Sequence, residues 1–209
     1  VRSVVAISLH SISVALAIAL SIASDAAAHS GGIPKGPDRG IRIAAITHGQ
    51  MQVLARYSGT ILDLAGRQRG TDESFRRVLN YAHVQKTYCA HGLMPGSISD
   101  ETSPFNQCSH AYLAATRDVL RRMGALPSRS PSVDDLLHRI DVEMLENGAA
   151  LALCQYSGEF FNTALTLEPD WSTVLFHPPS LVAIASPALL GLALALVRLR
   201  RRSQPANMP

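Results

Sequence analysis

The sequence predicts an all-α protein: an antiparallel four-helix bundle held outside the cytoplasm, with an N-terminal signal peptide and one C-terminal transmembrane helix. Three observations carry this. Apolar runs occupy both ends, at residues 4–23 and 180–197. Between them, four segments repeat apolar residues at spacings of three, four and seven, the period of a helix with one buried stripe. β-branched residues never alternate over six positions, so no strand is expected.

The first element is an export signal. Arg2, the apolar run and the small-residue stretch Ala26-Ala27-Ala28 fit a secretory signal over 1–28, cleaved before His29. Residues 29–40 are rich in glycine and proline and read as a flexible lead-in. The helical ectodomain then covers 41–168.

Its first helix is expected from Ile41 to Ala65, with Ile43, Ile46, Val53, Tyr57, Ile61 and Leu64 on one stripe. The second opens at Thr71, with Asp72 and Glu73 near the positive end of the helix dipole. Its stripe is Phe75, Val78, Ala82, Gln85 and Cys89, and Gly92 ends it. The third begins at Ser103 and Pro104, with Phe105, Cys108, Tyr112, Ala115, Val119 and Met123 inward. The fourth opens on Ser132, and its stripe runs through Leu137, Ile140, Met144, Leu151, Cys154, Gly158, Phe161 and Leu165. Gly148 lies inside that run as a point where the helix kinks or splits. A juxtamembrane linker follows over 169–179, with Trp171 and Phe176 placed to anchor at a lipid interface.

Residues 180–197 are long enough, at ~1.5 Å per residue, to cross most of a ~30 Å hydrocarbon core. Arg198, Arg200, Arg201 and Arg202 begin a basic tail over 198–209, which belongs on the cytoplasmic side. The expected location is therefore a bacterial inner membrane, single-pass, with the main domain in the periplasm or outside the cell.

Charge supports this division. The chain carries 19 Lys and Arg against 16 Asp and Glu. Arg2 and the four tail arginines lie outside residues 29–179, leaving 14; Asp25 is the acidic residue outside, leaving 15. A middle at −1 with mixed signs has no basic face, which argues against nucleic acid as a partner.

Of three cysteines, Cys89 and Cys108 fall near the same end of the predicted hairpin of helices two and three, on facing stripes. In an oxidising compartment they are expected to form a disulfide. Cys154, deeper in its helix, reads as a small buried hydrophobe.

The same region holds Cys-x-His twice, as Cys89-Ala90-His91 and Cys108-Ser109-His110. His91 and His110 are therefore candidate ligands for copper or zinc. Residues two apart on a helix point to opposite sides, so one ion would collect all four groups only if the helix ends unwind. His29, exposed as a new N-terminus by signal cleavage, is a third candidate, able to chelate copper with its α-amine.

Catalytic signatures are absent. There is no Cys-x-x-Cys-His for covalent haem, no His-Glu-x-x-His and no Gly-x-Ser-x-Gly. No catalytic residue is assigned. The expected function is a non-enzymatic, membrane-tethered helical module, an accessory or partner-binding subunit of a cell-envelope complex. Loop 92–104 is its expected working surface. The alternative is a copper-, zinc- or haem-binding envelope protein using the histidines near 91–110.

Overall fold

A computed structural model describes residues 40–203, with side chains to 199. The expected signal peptide, His29 and the end of the basic tail lie outside the described residues. Within them the regular structure is helical apart from one pair of two-residue strands, with irregular chain between the helices. The order is β1 (Arg42–Ile43), α1 (His48–Gly66), α2 (Glu73–Tyr88), α3 (Asn106–Gly124), α4 (Pro131–Glu146), β2 (Phe161–Asn162), a 3-10 turn (Val174–Phe176) and α5 (Pro178–Ser203).

Helix α3 is the centre of the core. Fourteen of its 19 residues are buried, because α1 and α2 pack on it from different sides and α4 closes against α1 and α3. Ala111, Ala114 and Ala115 are fully covered, and such small side chains let neighbouring helices approach closely. The expected stripe of α2 is buried throughout, from Phe75 to Cys89. Asp72 caps it, accepting from the Phe75 amide at 2.7 Å. Asp118 on α3 is buried but meets Arg121 at 2.6 Å and Arg122 at 2.8 Å. Arg122 also donates to Ser74 at 2.7 Å, tying α3 to the start of α2.

The structure departs from the sequence expectation by one or two residues at the starts of α2–α4, whose N-caps are Asp72, Phe105 and Ser130, and by more at α1 and at the end of α4. Helix α1 starts at His48 rather than Ile41, because Thr47 and Gln50 form a reciprocal capping box. The segment before it is extended: β1 pairs antiparallel with β2, Arg42 opposite Asn162 and Ile43 opposite Phe161. Of the expected stripe, Ile43, Ile46, Val53 and Ile61 are buried and Tyr57 and Leu64 partly so, while α1 also buries Met51, Leu54, Ser58, Leu62 and Ala65. Helix α4 stops at Glu146 instead of running on through Cys154 to Leu165. Asn147 caps it and Gly148 adopts φ 56°, a conformation that glycine supplies without strain. Residues 147–160 then form an irregular strap.

Cys89 and Cys108 are joined in a disulfide with their Cα atoms 5.4 Å apart. The Gln85 amide reinforces the crosslink from α2. It donates to the Leu167 carbonyl at 2.7 Å and accepts from the Leu167 amide at 3.1 Å. This holds residues 165–170 over the disulfide.

Helix α5 is long and apolar enough to cross a membrane over Pro178–Leu199. Its root is fixed to the domain. His177 Nδ1 accepts from the Ser180 amide at 3.3 Å and meets Ser180 Oγ at 2.7 Å, while Nε2 meets Asp100 Oδ2 at 3.0 Å. Since an amide donates to Nδ1, the proton belongs on Nε2 and points to Asp100. Hydrogen bonds from Thr102 and then from His177 hold the Asp100 carboxyl down at about 2. The loop expected as the working surface thus supplies Asp100, which holds the root of α5.

Candidate metal centre

Three segments distant in sequence bring His48, His110 and Cys154 together. One ligand atom from each lies within 4.8 Å of the others. His110 Nε2 is 3.2 Å from Cys154 Sγ, and the His48 and His110 rings are 6.0 Å apart. Donors sharing one ion, with bonds of ~2.0–2.3 Å, lie roughly 3.5–4 Å from one another. The cluster therefore needs shifts of well under an ångström to about one ångström to hold an ion.

Each ligand is positioned by its element. His110 sits on the first turns of α3 and is 0% exposed. His48 is the first residue of α1, 7% exposed. Cys154 is half-buried on the strap, which is there because the open amides of α1 hold it. Gly49 N donates to Ala152 O at 3.0 Å, and His48 N donates to Ser157 Oγ at 3.1 Å. The Thr47 hydroxyl donates to Ala149 O at 2.5 Å. Ser157 Oγ also accepts from the Cys154 amide at 2.9 Å and lies 3.5 Å from Sγ. One hydroxyl thus fixes the start of the helix and the thiol loop together.

Electrostatics favour ligation. Burial pushes the His110 imidazole down to about 4, with His48 adding to the shift. It is therefore neutral, the form that binds metal. His48 Nδ1 and His110 Nδ1 are both buried without a hydrogen-bond partner. His110 turns its other nitrogen, Nε2, to Cys154 Sγ, and a buried imidazole nitrogen with no partner also occurs outside the group, at His91.

Of the metal ligands expected from sequence, His110 belongs to this group and His91 does not. His91 packs against the Tyr112 ring at 4.5 Å and is also pushed down to about 4, by burial and then by Lys86. His29 lies outside the described residues. Sequence reasoning misses His48 and Cys154. The Thr47-His48-Gly49-Gln50 capping box is the available signal for the first. Asn147-Gly148 is the signal that Cys154 lies on a loop.

The cluster at His177 has the residue types of a Ser-His-Asp triad, but Ser180 is 0% exposed and its own amide binds the imidazole. It caps α5 and has no face for a substrate.

The two depressed histidines set the acid stability of the metal-free protein. An unfolded chain protonates them near pH 6.5, whereas the folded chain does so only near 4. Between those values the unfolded state binds more protons, so stability falls as pH falls through the window. The slope is up to ~1.4 kcal/mol per pH unit for each imidazole. Thermal melts should decline from pH 6.5 to 4, and His91→Asn should roughly halve the slope. Melts flat across that range would contradict the assignment.

No family model, curated protein or solved structure matches the chain, so its functional reading rests on its own atoms.

Proposed function

We propose that this chain is a single-pass envelope protein whose exported domain, an antiparallel four-helix bundle of α1–α4, binds one copper or zinc ion between His48, His110 and Cys154. The observation that carries the reading is the convergence of two buried imidazoles and a thiol from three separate segments. Supporting it are the lipid-length helix α5, the arginines that follow it and the signal-like residues 1–28. Together they favour a domain in the periplasm or outside the cell, with the tail in the cytoplasm.

A role as an accessory subunit of an envelope complex is compatible with this. Leu151 and Leu153, on the strap that carries Cys154, are 85% and 67% exposed. Apolar side chains beside a metal ligand suit transient docking of an envelope partner.

The test is elemental analysis of full-length protein purified from membranes in mild detergent. Wild type should carry close to one equivalent of metal, and a His48→Ala, His110→Ala, Cys154→Ser triple variant should carry none. Equal metal content in the two proteins would refute the reading.

A further inference from the structure

The donor set and its surroundings discriminate between the two ions. We infer that the physiological ligand is copper(I), held three-coordinate by His48, His110 and the Cys154 thiolate; this rests on the metal-binding reading above.

The first argument is coordination number. Structural zinc takes four protein ligands, and catalytic zinc keeps a water in the fourth position. Among the described residues no further histidine, cysteine or carboxylate joins the group. Ser157 Oγ is the nearest additional oxygen on the thiol loop, and it is already committed. It accepts from the His48 and Cys154 amides and directs its own proton towards Sγ. That hydroxyl is a hydrogen-bond donor to the sulfur rather than a fourth ligand. His110 and His48 are both more than nine-tenths buried, and the Tyr156 ring stands 6.0 Å from the His110 ring. The two imidazoles are covered while Cys154 is half-buried, and a site with three protein donors suits an ion that is content with three ligands.

The second argument is softness. One cysteine sulfur with two imidazole nitrogens is a soft-to-borderline set, and no carboxylate joins it. Such sets favour copper(I), and divalent copper also outranks zinc in the usual affinity order. A third consideration is protection. Cys154 is the one free cysteine in the chain, and a thiol in an oxidising compartment is exposed to oxidation unless it is ligated. Bound copper(I) would occupy its lone pair.

Full-length protein in mild detergent is titrated anaerobically with copper(I) against a colorimetric copper(I) chelator, with and without excess zinc. One copper(I) should bind per chain, and zinc should not displace it. X-ray absorption at the copper edge should fit two nitrogens and one sulfur. Cys154→Ser should weaken copper(I) binding by more than ~100-fold. Ser157→Ala, which keeps every donor, should weaken it within the ~10–100-fold range of supporting residues. His91→Ala should bind as wild type. Circular dichroism of each variant establishes that it is folded, and Ser157→Ala provides a graded effect if Cys154→Ser is not.

If zinc binds at the three residues and resists copper(I), or if copper is four-coordinate, this inference fails while the metal-binding reading stands. If neither ion binds, both fail.

Discussion

Replacing both bridged cysteines, Cys89→Ala with Cys108→Ala, is expected to destabilise the domain by about 3 kcal/mol. The crosslink closes a loop with a sequence separation of 19 residues, and releasing such a loop restores that much entropy to the unfolded chain. For a domain of this size the melting temperature should drop by ~10 °C. The loss has a local consequence as well. The loop between the cysteines carries Asp100, which receives the His177 proton at the root of α5. Residues 165–170 are held over the bridge by Gln85. Loosening the bridge should therefore raise amide exchange in residues 92–104 and 165–180 before it affects α1 and α4. Thermal melts and hydrogen exchange on the double variant would test both parts. A melting temperature within about 2 °C of wild type would show the bridge to be dispensable.

The second large effect is expected at Gly49. A Cβ at this position would stand 2.5 Å from the Ala149 carbonyl oxygen and 2.8 Å from the Ala149 Cα. Both are backbone atoms, so no side-chain rotation relieves the clash. The strap must retreat from the start of α1, breaking the Gly49 amide bond to Ala152 and the Thr47 bond to Ala149. Overpacking of this kind costs about 1–3 kcal/mol. The larger consequence is for ligation, since Cys154 rides on the strap and His48 is the neighbouring residue. Gly49→Ala should leave the helix content unchanged and lower metal affinity by at least ~10-fold, the effect of a lost supporting contact. Affinity equal to wild type would mean that the strap does not set the thiol position. Gly59→Ala, where a Cβ meets nothing within 4 Å, is the matching control.

The parts of the fold that are legible in the sequence are those where one face decides. Helix α2 packs with one stripe, and all five residues given by its spacing are buried. The disulfide is legible because both cysteines lie near one end of a helical hairpin. Helix α3 reads as one-sided and is buried nearly all round; its alanines carry little periodic signal, although they are what admits neighbours on several sides. The strand pair is illegible because two residues cannot display an alternation. The fourth helix reads too long because Leu151, Cys154, Phe161 and Leu165 keep a helical spacing while their chain does not. The turn at Asn147 and Gly148 outweighs that spacing.

The candidate centre is half legible. His110 stands out through its neighbour Cys108, although the partner it meets is the cysteine 44 residues further on. No local pattern links His48, His110 and Cys154, since one sits at a helix start, one on a buried helix and one on a strap. Only the folding of α1 against α3, and the capture of the strap by the amides of α1, makes them neighbours.

The most direct measurement is a crystal of the metal-loaded protein examined by anomalous scattering at the copper and zinc edges. A single peak is expected within bonding distance, ~2.0–2.3 Å, of His48, His110 and Cys154 Sγ. A loaded crystal with no peak there, or with its peak at His91 or at an exposed histidine such as His83, would contradict a metal centre built from these three residues.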